Sequence, residues 1–392
     1  MMLNQISYLD CLAFLVFLAP QLLIHVGLYE VLKCVLRALP FFVIKLPFRF
    51  VRERYFTRYE DKTPFCQHAS PFQDFVIRCV RYAFAYIPAS IGKVFFSRPV
   101  ALPFLYWRML RHGVSRSPIP WQEIDRPGLQ GIWICCDESQ LPDVVVYYCH
   151  GGGFSMGSSY FYLEFLLAWV SLLKDAGFKN PALFALEYTL VPEATYPRQI
   201  DETISGYDFV LAQAGGSPEK ICLGGDSAGA TLQLSLLLHL SKESTPKYPL
   251  PAFAIIISPW AVIISPKNQD TPSDYLNAES LHLYGSQYIG TKASADDPVV
   301  SPGSCRDISW WQRATPSRGF FFIYGAEEVF APETEDLVGF LKKTGAQVGV
   351  HSEKGWIHAW PVVKLFLCDG QDARQSGLKT MTAAIRHKIK SI

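Results

Sequence analysis

The run Lys220-Ile-Cys-Leu-Gly-Gly-Asp-Ser-Ala-Gly-Ala230 constrains this chain more than any other stretch. A short apolar segment ends in glycines, a serine stands at position 227, and Ala230 to Leu240 continues as a run of helix formers. The order predicts a strand, a sharp turn and a helix, with Ser227 at the apex. Gly225 and Gly229 lie two residues to either side, where strand and helix backbones close on each other and a Cβ would collide. The helix N-terminus behind the serine favours negative charge near its hydroxyl. Gly-x-Ser-x-Gly arises by chance in roughly one chain in eight of this length and glycine content, so its surroundings decide its meaning.

Upstream, Val144-Val-Val-Tyr-Tyr-Cys149 reads as a buried strand that runs into His150-Gly151-Gly152-Gly153-Phe154. Three consecutive glycines let backbone N–H groups turn towards one point with no side chain in the way. A developing oxyanion needs such donors, fixed before the charge appears. These two motifs, HGGGF and GDSAG, resemble the signature of the hormone-sensitive-lipase-like branch of the α/β-hydrolase superfamily, steryl acetyl hydrolase-type proteins included. A third stretch, Tyr188-Thr-Leu-Val-Pro-Glu-Ala-Thr-Tyr-Pro197, is similar to that family's Y-x-L-A-P-E-x-x-F-P and departs from it at Val191 and Tyr196. The resemblance covers roughly residues 100 to 390.

The resemblance implies an α/β-hydrolase fold: a mostly parallel sheet, helices on both faces and a helical cap. It implies oxyanion donors among Gly151, Gly152, Gly153 and Ala228, and supporting places for His150, Phe154 and Asp226. Glu193 is expected to be a structural hydrogen-bonder. In this fold the acid and then the histidine follow the serine along the chain, each after a strand. After the apolar run Gly319 to Tyr324, the family pattern puts the acid three residues beyond Gly325, at Glu328, with Glu327 as a rival. Gly355-Trp-Ile-His-Ala-Trp360 is similar to the family's G-x-x-H-[GA]-[FW] and makes His358 the base; His351 lies on the preceding strand. No metal or cofactor is implied.

Strand-like runs alternate with helix-like ones, which favours a parallel sheet covered on both faces. Residues 130–136 and 143–149 are expected to be neighbouring strands. Further strands are expected over 182–188, 251–258, 319–324 and 346–351, and helices over 161–176, 198–214, 333–344 and 377–390. With 36 basic and 35 acidic residues, nothing points to nucleic acid. The ten cysteines show no zinc-ligand spacing. Their positions in apolar runs, with the lack of any N-x-S/T sequon, lean towards a cytosolic catalytic domain.

The first hundred residues lie outside the resemblance. Cys11 to Tyr29 is apolar enough to span a membrane, with Pro20 in its middle. A second apolar run over 31–46, carrying Lys33, Arg37 and Lys45, reads as interfacial or hairpin-like, and Arg49, Arg52, Arg54 and Arg58 follow as a flank that belongs on the cytoplasmic side. We therefore expect an anchor over 1–46 in the endoplasmic reticulum or another endomembrane. A cap region follows over 47–115, then a catalytic domain over 116–392 with a cap excursion near 267–317. A soluble lid helix is the alternative to the anchor. The expected activity is hydrolysis of an acetyl or short-acyl ester of an apolar alcohol. An acyltransferase using the same acyl-enzyme and a non-catalytic binding protein are the alternatives.

Overall fold

A computed structural model of the protein describes residues 3–242 and 248–390. Among these, seven α-helices precede the sheet: α1 (Tyr8–His25), α2 (Leu28–Pro40), α3 (Leu46–Val51), α4 (Pro64–His68), α5 (Pro71–Tyr86), α6 (Ala89–Phe96) and α7 (Arg98–Arg111). The strands are β1 (Trp121–Arg126), β2 (Leu129–Cys135), β3 (Val144–Cys149), β4 (Pro181–Leu186), β5 (Ile221–Asp226), β6 (Phe253–Ile257), β7 (Phe320–Gly325) and β8 (Val348–Glu353). Between and after them come α8 (Leu163–Asp175), α9 (Arg198–Gln213), α10 (Ala228–Leu240), α11 (Ala278–Ile289), α12 (Ile308–Ala314), α13 (Ala331–Lys343), α14 (Trp360–Leu367) and α15 (Gln371–Ile389).

The strands form one sheet in the order β1-β2-β4-β3-β5-β6-β7-β8. From β4 through β8 every neighbouring pair is parallel, whereas β2 runs antiparallel to both β1 and β4. Successive side chains of a strand point to opposite faces, and β3 displays this without a polar position. Val145, Tyr147 and Cys149 join the core beneath α9, α10 and α13, while Val144, Val146 and Tyr148 join the one beneath α8 and α15. A strand buried on both faces reads as a continuous apolar run, as the sequence of β3 does.

Two expectations are corrected. β2 and β3 are not neighbours, because β4 lies between them. β1 went unread because an edge strand facing solvent needs no apolar alternation, and Trp-Gln-Glu-Ile-Asp-Arg supplies none. The closing helix α15 also starts at Gln371, six residues before its expected start.

The N-terminal segment packs against the hydrolase body. α1 opens with a capping box between Ser7 and Asp10, which satisfies two free backbone donors of its first turn. It is long and apolar enough to cross a membrane, by length and composition. Yet Phe14 and Leu18 are buried against Val94 of α6 and Val100 of α7. Asp10 is fully buried and pairs with Arg111 at 2.6 Å. Ahead of α1, the Ile6 N–H donates to Phe366 O (3.1 Å).

Deleting residues 1–46 is therefore expected to uncover Val94 and Val100 and to leave Arg111 without its carboxylate. Lost apolar burial and a broken ion pair together cost about 4 kcal/mol. That should lower the thermal midpoint by roughly 5 °C or more. Melting curves of the full-length and shortened proteins test this, and coincident curves would make the segment a separable appendage.

Candidate active site

Strands β5 to β8 are adjacent and parallel, so the segments that leave their C-terminal ends lie side by side. Ser227 follows β5, Ser258 follows β6, Glu328 follows β7 and His358 follows β8. In open α/β sheets this edge is where ligand sites form. All four residues are buried, and Ser227 retains 5% exposure.

Ser227 has φ 54° and ψ −121°, a conformation that costs an L-residue energy and persists only where its surroundings impose it. The imposition is steric and hydrogen-bonded. A Cβ on Gly229 would run into the Cys149 carbonyl. The Ser227 N–H donates to Ile257 O at 3.0 Å, tying the turn to the end of β6. As N-cap of α10, Ser227 makes no side-chain capping bond.

The glycine loop is braced from the same turn. Asp226 Oδ1 accepts the Tyr148 hydroxyl (2.6 Å) and the Gly151 N–H (2.9 Å), and Oδ2 accepts the Tyr162 hydroxyl (2.7 Å). Burial raises the Asp226 pKa against the pull of these donors. Because the Gly151 N–H is committed to Asp226, it is not among the donors that face an open site. Gly152 and Gly153 sit at φ 116° and 61°. No hydrogen bond to the described residues occupies their N–H groups or that of Ala228.

His150 is buried, stacks on Tyr188 at 4.4 Å and places Nδ1 2.7 Å from Gly151 O. A carbonyl only accepts, so Nδ1 carries the proton. Burial lowers the His150 pKa to about 4. The ring is a neutral brace of the loop. Phe154, the loop's last residue, stacks on Tyr288 of α11 at 3.7 Å.

Glu328 and His358 come together, with Oε1 3.9 Å from Nδ1. The other carboxylate oxygen, Oε2, accepts the Ser258 hydroxyl (2.7 Å) and the Gly325 N–H (2.9 Å). Burial pushes the His358 pKa down. The Glu328 carboxylate, with Asp274 and Asp226 beyond it, outweighs that and holds it above the ordinary value. Glu327 is half-buried, while His351 pairs with Glu353 at 2.7 Å on β8.

Sequence reasoning missed three contributors. Ser258 also accepts the Ala359 N–H (3.0 Å), so one hydroxyl joins the acid and histidine segments. Asp274 Oδ1 accepts the N–H groups of Tyr275 (2.8 Å) and His358 (3.1 Å), and Oδ2 that of Val329 (2.9 Å). Tyr162 braces Asp226 from the start of α8. No local pattern marks any of them, since each acts on residues distant in sequence.

Glu193 does form a hydrogen bond, to a helix and not within its own motif. Its side chain is largely exposed and pairs with Lys93 of α6. Glu202 holds the motif instead, accepting the Thr189 N–H (2.8 Å) and hydroxyl (2.7 Å).

Fold and elbow define an α/β hydrolase. A family model described as alpha/beta hydrolase fold matches residues 146–362, and the chain belongs to that family. An acetyl-hydrolase of Streptomyces hygroscopicus is 38% identical over 234 residues, 58% of this chain and 71% of that protein. Steryl acetyl hydrolase 1 of Saccharomyces cerevisiae is 26% identical over 209 residues, 50% of this chain and 47% of that protein. The match thus spans less than half of this second relative. The crystal structure of an esterase from the bacterial hormone-sensitive lipase family superposes with a TM-score of 0.61 at 24% identity. That superposition covers 82% of this chain and 99% of the esterase, and at this identity it speaks to the fold alone.

Proposed function

We propose that this protein is a serine hydrolase that cleaves acetyl or other short-acyl esters of apolar alcohols. The observation that carries the reading is the strained Ser227 turn, set beside a buried Glu328–His358 pair on successive strand ends. Ser227 Oγ attacks the ester carbonyl while His358 takes its proton, and Glu328 holds the imidazole in the required tautomer. The N–H groups of Gly152, Gly153 and Ala228 receive the oxyanion. Collapse of the tetrahedral intermediate expels the alcohol, protonated by His358. Water, deprotonated by the same imidazole, then releases the acid.

Aromatic surroundings favour an apolar alcohol. Phe330 and Tyr275 approach the His358 ring at 5.1 and 5.8 Å, and Tyr284 of α11 lies over Gly153. Helices α5, α6 and α11 serve as the cap in this reading. The apolar α1 and the cationic flank behind it support attachment to an endomembrane, whose anionic cytosolic leaflet such cations favour.

Labelling with a fluorophosphonate, alongside hydrolysis of p-nitrophenyl acetate, tests the reading. Labelling with turnover is expected. Labelling without turnover would favour acyl transfer, and no labelling would retire the enzyme reading.

Ser258→Ala removes one of two donors to Glu328 Oε2 and the acceptor of the Ala359 N–H. Losing such a positioned donor costs about 1–2 kcal/mol, so kcat should fall roughly tenfold. An unchanged kcat would remove Ser258 from the support of the pair.

A further inference from the structure

We propose that the N-terminal helices lie in the plane of a membrane surface instead of crossing it, and present the active site to an anionic leaflet that supplies the apolar ester. The substrate half of this inference rests on the esterase reading above.

The attachment of α1 argues for the plane. One side is held to α6 and α7 by Phe14, Leu18 and the Asp10–Arg111 pair. To cross a bilayer, α1 would have to give up these contacts, and breaking a buried ion pair is costly.

The opposite side is apolar and open. Leu12 and Leu23 of α1, Leu36 of α2, and Val43, Ile44 and Phe48 beyond it are all exposed. An exposed apolar surface this extended is uncommon on a soluble monomer.

Charge identifies the occupant. From Leu28 to Arg58 the chain carries seven Lys and Arg against two Glu. Both glutamates are already paired, Glu30 with Lys33 and Glu53 with Arg52 and Arg78. Arg37, Lys45, Arg49 and Arg58 are exposed and form no ion pair among the described residues. Apolar side chains flanked by unpaired cations fit a leaflet containing anionic headgroups.

Helix α5 joins this surface to the site. Tyr82 stacks on Phe41 at 4.1 Å on the membrane side. Phe84, two residues on and hence on the opposite face, meets Tyr275 at 5.3 Å, and Tyr275 contacts the His358 ring. One helix therefore separates the apolar surface from the catalytic histidine.

The test uses full-length protein floated with phosphatidylcholine vesicles, with and without phosphatidylserine. Wild type should bind the anionic vesicles and release in high salt. The exposed triple change Val43→Asp, Ile44→Asp, Phe48→Asp should weaken binding by at least about tenfold. It should leave p-nitrophenyl acetate turnover unchanged and slow hydrolysis of cholesteryl acetate held in the vesicles. Equal binding of wild type and variant would overturn the proposal. So would an N-terminal tag that stays protease-protected in sealed microsomes, because α1 would then cross. A wild type that floats but turns over no ester would retire the esterase reading and the substrate half, leaving the docking surface intact.

Discussion

Ser227→Ala is expected to reduce ester turnover by roughly 10⁴- to 10⁶-fold and to abolish fluorophosphonate labelling. The magnitude follows from the hydroxyl's position. It stands on a turn at φ 54° with no side-chain capping bond to absorb it, at the N-terminus of α10, beside the unoccupied N–H groups of Gly152, Gly153 and Ala228. What survives the substitution is rate enhancement from those donors and from binding alone. Folding should change little. Alanine meets the same backbone strain as serine and loses only an oxygen that the turn does not use, so stability should shift by no more than about 1 kcal/mol. Turnover of p-nitrophenyl acetate and a thermal melt on the same preparation separate the two effects. Retained turnover would remove Ser227 as nucleophile, and a collapsed melt would leave the comparison to Ser227→Cys, which keeps the volume.

Legibility in the sequence followed locality. The turn around Ser227 and the glycine run at 151–153 are short, and their glycines answer to backbone geometry inside the same few residues, so they could be read directly. The parallel strands β3 to β7 were readable because burial on both faces leaves an unbroken apolar run. Edge strand β1 left no such trace, and the order β2-β4-β3 depends on which crossovers pack, which no single stretch encodes. Glu328 and His358 entered through family resemblance. Their supports did not enter at all. Asp274 belongs to a Pro- and Ser-rich run that resembles an ordinary loop, yet its carboxylate serves three backbone N–H groups on three segments. Glu193 was readable as a hydrogen-bonder, but neither its partner Lys93 nor the role of Glu202, nine residues along, in holding Thr189 was.

Glu328→Gln is expected to lower kcat by roughly 10³- to 10⁴-fold, with Glu327→Gln changing it less than about threefold. Glu328 Oε2 is held by Ser258 and Gly325, which fixes Oε1 towards His358 Nδ1 at 3.9 Å. Such gaps tighten when substrate binds. A glutamine can keep its carbonyl on the two fixed donors only by turning its NH₂ towards Nδ1. That favours the imidazole tautomer protonated at Nε2, which cannot accept the serine proton. The same substitution has a signature in pH. Burial lowers the His358 pKa and the Glu328 carboxylate more than restores it, leaving it above the ordinary histidine value. Turnover requires the neutral ring, so activity falls as pH drops through that raised pKa. Removing the carboxylate charge lowers it, and the acidic limb of the residual activity should move to lower pH. The shift remains partial, because Asp274 and Asp226 still face the ring. A reversed ranking of the two glutamines would move the acid to Glu327. A large loss of kcat with an unmoved acidic limb would make Glu328 a brace for the turn after β7 and not the partner of His358.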